Sequence, residues 1–89
     1  MAWSSLKDLQ IYHNGNSFIQ DTGAGKLILD TNGTDVRITK TDSEYMAKFI
    51  TDGAVELYYN HSKKFQTVGG GIDVTGHITA SGNISSSGT

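Results

Sequence analysis

Three hexads close this chain in register: Ile72-Asp73-Val74-Thr75-Gly76-His77, Ile78-Thr79-Ala80-Ser81-Gly82-Asn83 and Ile84-Ser85-Ser86-Ser87-Gly88-Thr89. Ile holds the first place of each and Gly the fifth. A unit of six residues with one large apolar side chain cannot bury that side chain within itself. It must stack on neighbouring units or on other chains, as solenoids and fibres do. This pattern points to an element of an elongated assembly and away from a compact enzyme.

Composition strengthens that inference. A chain of 89 residues is one small domain or one module, and only 36% of it is hydrophobic, with one Trp and three Phe. A domain of this size hides about two-thirds of the surface its unfolded chain exposes. Eleven Gly add to the entropy cost of ordering the backbone. With no Cys, neither a disulfide nor a thiolate metal site can supply the deficit. Association with further copies is the remaining common remedy.

The formal charge of -2, with basic residues scattered singly apart from Lys63-Lys64, gives no footprint for nucleic acid. No apolar run approaches membrane-spanning length, so membrane insertion is not expected. The absence of Pro leaves backbone pairing uninterrupted.

Three hairpin dipeptides punctuate the first two-thirds: Asn14-Gly15, Asn32-Gly33 and Asp52-Gly53. Each suits a primed two-residue turn, in which both central positions have positive φ. Residues 9–13 and 17–20 should flank the first turn, 26–31 and 34–39 the second, and 45–51 and 54–60 the third. Alternation then sets the faces. Val55, Leu57 and Tyr59 share one, with Ala54, Glu56 and Tyr58 opposite; Val36 and Ile38 share another, with Asp35, Arg37 and Thr39 opposite. Asn60-His61-Ser62-Lys63 reads as a longer turn into residues 65–68. Gly69-Gly70-Gly71 reads as a hinge. Only Trp3, Leu6 and Leu9 hint at a short helix.

Several residues invite a chemical reading. Asp21-Thr22-Gly23 matches the active-site tripeptide of dimeric aspartic proteases, which need one such Asp from each chain. Gln20 interrupts the apolar approach, and the later apolar pair with Gly-Arg is missing, so a plain turn is expected there. His13, His61 and His77 lack metal-ligand spacing. His77, in the hexads, is the candidate that could meet its own copies around a three-fold axis and bind a metal ion. Tyr12, Tyr45, Tyr58, Tyr59 and Trp3 could stack on sugars or pack as cross-strand pairs. Scattered turn Asp residues form no calcium loop. No nucleophile elbow and no phosphate-cradling glycine loop is present. No catalytic residue, enzyme activity or cofactor is expected.

Beyond these features, Asp8-Leu9-Gln10-Ile11-Tyr12-His13-Asn14-Gly15, Ile19-Gln20-Asp21-Thr22-Gly23 and Leu27-Ile28-Leu29 resemble a repeat of marine bacteriophage tail-fibre and virion structural proteins, cyanophages included. Residues 49–67 resemble the next unit of the same proteins, and the hexads from Gly71 onward follow in the same order. The likeness covers nearly all of the chain after Lys7. It implies an all-β, elongated, trimeric fibre, an intertwined β-helix or β-prism of short strands and hairpins ending in Ile/Gly hexads. Its place would be the virion, as a tail fibre or other surface appendage, and its role a shaft or spacer in host attachment.

Three segments are then expected: 1–8 as an N-terminal lead, helical or disordered; 9–68 as the hairpin region; and 69–89 as hinge and shaft. Ile72, Ile78, Ile84, Val55, Leu57 and Tyr59 would form the oligomer core, joined by Phe49, Leu27, Leu29, Ile11 and Ile38. Gly15, Gly33, Gly53, Gly76 and Gly82 would make the turns. The expected partners are copies of the chain, as a homotrimer or an end-to-end filament, with a host-surface glycan or receptor as a further partner. The chain stops in phase with a hexad, as a cut shaft or an end awaiting the next subunit would.

Overall fold

A computed structural model describes residues 8–88; Trp3 and Leu6 of the expected short helix lie outside them. The described chain is all-β, with seven strands, two antiparallel sheets and no helix. It divides into two units between Asp30 and Thr31.

In the first unit, β1 (Leu9–His13) and β2 (Ser17–Asp21) form a hairpin pairing Ile11 with Ile19 and Tyr12 with Phe18. The Tyr12 and Phe18 rings stack with centroids 4.9 Å apart, and the Tyr12 hydroxyl donates to Gln20 Oε1 at 3.0 Å. Ile11 and Ile19 lie exposed on the other face. The connection is three residues long, Asn14 to Asn16, and only Gly15 takes positive φ, at 99°. The two-residue primed turn expected at Asn14-Gly15 is therefore replaced by a longer loop, closed by the Asn14 N–H donating to Asn16 O at 2.9 Å.

The second unit is a five-stranded meander in sequence order: β3 (Asp35–Lys40), β4 (Glu44–Ile50), β5 (Val55–Tyr59), β6 (Ser62–Val68) and β7 (Gly71–Val74). Two of its hairpins share one design. Thr41 and Asp42 sit at φ 53° and 65°, and Asn60 and His61 at 50° and 67°. Both pairs have the two positive φ values of a primed turn, whose twist matches that of the flanking strands. Each returning strand then carries one extra residue, Met46 in β4 and Lys64 in β6, at a register shift. Such bulges sharpen local twist.

Other expectations change. The hairpin at Asn32-Gly33 does not form, because residues 26–31 carry no strand. The Thr51 N–H donates to Thr34 O at 3.0 Å and the Thr51 hydroxyl to Gly33 O at 2.8 Å, so this backbone is tied to the end of β4. Asn60-His61 is a tight turn, not a long one. At Asp52-Gly53 the positive φ falls on Asp52, at 55°. Gly53 serves close approach instead, since a Cβ there would lie 2.9 Å from Ile50 Cγ2. Gly33 and Gly82 also lie outside the left-handed region, whereas Gly76 is within it at φ 107°. Gly69-Gly70 links β6 to β7 within the sheet, so the first hexad supplies an edge strand. Residues 77–88 carry no regular element.

A β-branched residue in the left-handed region is unusual and strained. Thr41→Asn, which tolerates that conformation, should stabilise the fold by about 0.5–1 kcal/mol. A rise in the urea midpoint with unchanged slope would register it.

Candidate interaction surface

Cross-strand register sorts the side chains of the five-stranded sheet into two opposite faces. One face carries two apolar rows. Val36, Phe49 and Val55 lead through Thr67 to Ile72; Ile38, Ala47, Leu57, Phe65 and Val74 form the row beside it. Thr67 keeps the first row continuous because its hydroxyl accepts the Val55 N–H at 3.0 Å. Tyr59 extends this face at the end of β5.

Among the described residues no strand of the unit covers these rows, since each strand touches only its hydrogen-bonded neighbours. Leu57 is 44% exposed, Ile72 59% and Tyr59 74%. Among the described residues, Ala47 alone forms a buried hydrophobic core. One sheet with one wet apolar side lacks the second layer that domains are built from.

The other face is polar and better shielded. A row of Arg37, Lys48, Glu56, Gln66 and Asp73 crosses all five strands. Glu56, on the central strand, is only 8% exposed. The Tyr58 hydroxyl donates to Glu56 Oε1 at 2.5 Å, and Lys63 Nζ donates to Glu56 Oε2 at 3.4 Å and to Gln66 Oε1 at 2.8 Å. Tyr45 packs against Tyr58, centroids 5.5 Å apart, and against His61 at 5.2 Å, while His61 Nδ1 accepts the Tyr45 N–H at 3.0 Å. Arg37 and Lys48 are neighbouring like charges, an arrangement that normally destabilises a strand pair. Here both lie over the Tyr45 ring, at 5.4 and 4.8 Å, and Arg37 donates to Asp35 at 2.7 Å. That bond is the main cause holding the Asp35 carboxyl below its ordinary range and the Arg37 guanidinium above its own.

The residues expected to carry function are only partly gathered. Val55, Leu57, Tyr59 and Ile72 share the apolar face, with Phe49 and Ile38 beside them. Ile78 and Ile84 are exposed outside any strand, and the described residues of the second and third hexads carry no regular element. The sequence reading set Val36 on one face with Ile38 but left Val36, Phe65, Val74 and Ala47 out of the oligomer core. Alternation of Phe65 with Thr67 and of Ile72 with Val74 carries the signal, once Gly69-Gly70 is taken as a turn.

His77 lies exposed beyond β7, and no three His, Asp or Glu side chains converge among the described residues. His13 Nδ1 lies 2.9 Å from Ser17 Oγ across the end of its hairpin. Asp21 Oδ1 accepts the Gly23 N–H at 3.0 Å, and the Thr22 N–H donates to Asp8 O at 2.8 Å. A Cβ on Gly23 would meet the Asp8 side chain at 2.8 Å. Turn chemistry thus accounts for the Asp-Thr-Gly tripeptide.

The Tyr58 hydrogen bond, more than the Lys63 charge, holds Glu56 below the usual carboxylate range, against the opposing effect of burial. The same bond, with burial and the Glu56 charge, pushes the Tyr58 phenol up to about 12. A raised phenol pKa stabilises the fold fully below the unfolded value of 10.0, and this is lost as pH rises to about 12. A lowered carboxyl pKa stabilises it above 4.5, and this is lost as pH falls through the lower folded value. Tyr58→Phe should cost about 1 kcal/mol at neutral pH. It should also remove the part of the decline in thermal midpoint between pH 10 and about 12 that belongs to this phenol. Melts of both proteins at one concentration across that range check this.

No family model, curated protein or solved structure matches this chain.

Proposed function

We propose that this chain is a structural β-module that completes its core with further copies of itself, as the homotrimeric shaft or spacer of a bacteriophage tail fibre or similar virion appendage used in host attachment. The observation that carries the reading is the uncovered apolar face of the five-stranded sheet, with Ala47 the only buried hydrophobic residue described. Two further features support it. The hexads hold out Ile78 and Ile84 with nothing of their own to bury them. The repeat order of the sequence resembles that of phage fibre proteins.

The mechanism is mechanical. Apolar rows from several copies exclude water along a common core, while the polar faces remain in solvent. A surface of this kind on a soluble monomer would be an aggregation liability, and on a protomer it is an interface. A glycan-binding role finds less support in the polar face, because the Tyr45 ring is flanked by Tyr58, His61, Lys48 and Arg37.

Light scattering on the purified chain should give three times the monomer mass of 9.6 kDa. Leu57→Asp places a charge in the middle of the face, beside Ala47, at a side chain that is itself 44% exposed in the single chain. Burying one Leu contributes roughly 1.5–3 kcal/mol, and a trimer loses three and must also desolvate three carboxylates. The variant should therefore fail to trimerise at micromolar concentration, and a trimer of unchanged mass would overturn the packing. Ile78→Asp tests the hexads in the same way, with loss of assembly expected. Negative stain separates discrete trimers from open filaments, the alternative that uncapped sheet edges allow.

A further inference from the structure

The polar row of the sheet ends in opposite charges. Arg37 stands on β3, one edge of the sheet, and Asp73 on β7, the other, both on the same face. Asp73 is exposed, and its side chain has no hydrogen-bond or ion-pair partner among the described residues. The apolar rows end in the same way, Val36 and Ile38 on β3 matching Ile72 and Val74 on β7 in size and face. Both edges therefore present the same sequence of rows, with the charge reversed between them.

From this we infer that the partner of each edge is the opposite edge of another copy: β7 of one chain lies beside β3 of the next, with Asp73 facing Arg37, and three copies close into a ring around the apolar faces. The inference rests on the homotrimer proposed above and adds which surfaces meet. In a five-stranded antiparallel meander β3 and β7 run the same way, so copies related by rotation about an axis along the strands bring them together in parallel. A head-to-tail contact of this kind closes when the rotation does.

Size agrees with three copies. Five strands spaced about 4.8 Å apart span about 24 Å. Three such sheets set as a triangle lie about 7 Å from its axis, close to the roughly 5 Å that a side-chain layer fills in a two-sheet packing. The central strand then brings Leu57 nearest the axis, and the smaller side chains of β3 and β7 occupy the corners. A two-copy sandwich would cover the same two apolar rows without pairing β3 or β7. It would leave four edges open. A ring leaves none.

Charge reversal tests the contact. Asp73→Arg disturbs no partner within the chain and should weaken trimer association about tenfold at low salt, each of three exposed pairs contributing a factor of about two. Combining it with Arg37→Asp should restore most of that loss. A second variant avoids the Asp35–Arg37 bond. Val36→Cys with Ile72→Cys, in a chain without cysteine, places thiols roughly 19 Å apart within one sheet, so a disulfide forms only between copies. Oxidation should give covalent trimers on a non-reducing gel.

A wild-type trimer that is indifferent to Asp73→Arg and yields no cross-link overturns the edge pairing and leaves the structural role standing. Cross-linking of Val36→Cys alone into dimers assigns a two-fold β3–β3 contact and likewise overturns it. A monomeric wild type overturns both proposals.

Discussion

The second unit depends on one imbalance: between its two edges the sheet satisfies its backbone hydrogen bonds within itself, but it cannot dry its own apolar side. Adjacent residues of the central strand show it most directly. Glu56 is 8% exposed and Leu57 is 44% exposed. In a finished domain the order would be reversed, because desolvating a carboxylate costs free energy whereas burying a leucine is favourable. Glu56 tolerates its position because Tyr58 and Lys63 satisfy both carboxylate oxygens. Leu57 has no such provision within its unit. The central carboxylate of the polar side is satisfied, and the apolar side is left uncovered.

That contrast matters for association. Tyr58, Tyr45, His61, Lys48 and Arg37 lock the polar side through ring packing, cation–ring contacts and charge-assisted hydrogen bonds. The two primed turns and the two bulges fix strand register and twist in alternate hairpins of the meander. A sheet held from its polar side presents the apolar rows in a fixed arrangement, so less conformational entropy would remain to be lost in the association proposed above. The strain at Thr41 belongs to the same economy: a tight turn of the right hand keeps β3 and β4 in register even where the residue is poorly suited to it.

Much of this was legible in the residues, and the failures have physical causes. Alternation placed Val36 with Ile38 and Val55 with Leu57 and Tyr59 correctly, because a half-exposed antiparallel strand writes its two faces directly into the sequence. Turn residues were a poorer guide. Asn32-Gly33 is bound by Thr51 to the end of β4, a contact distant in sequence that no dipeptide rule contains. Thr41-Asp42 and Asn60-His61 adopt positive φ without glycine because the hairpins around them impose it. The Gly69-Gly70-Gly71 run looked like a boundary by composition, yet it joins two paired strands. Of the candidate interface, its central residues were readable and its continuity was not, since the Phe65 and Val74 contributions emerge only once β6 and β7 are adjacent.

The placement of β7 also changes what the hexads are. Ile72 belongs to a paired strand and continues an apolar row laid down by β3, β4, β5 and β6, whereas Ile78 and Ile84 repeat its sequence position without a strand to stand on. A period of six therefore records a spacing of apolar residues along the chain and does not by itself specify their conformation. The first hexad is ordered as strand because β6 offers it a ladder: Phe65 opposite Val74, Gln66 opposite Asp73 and Thr67 opposite Ile72. The later hexads have the same apolar residue to bury and no such template in their own chain. In the proposed trimer their natural template is a neighbouring copy, whose hexads arrive at the same level by symmetry with the same Ile uncovered. The edge strand and the hexads beyond it would then face one requirement at two stages, a neighbour in the chain for the first and a neighbour in the assembly for the rest.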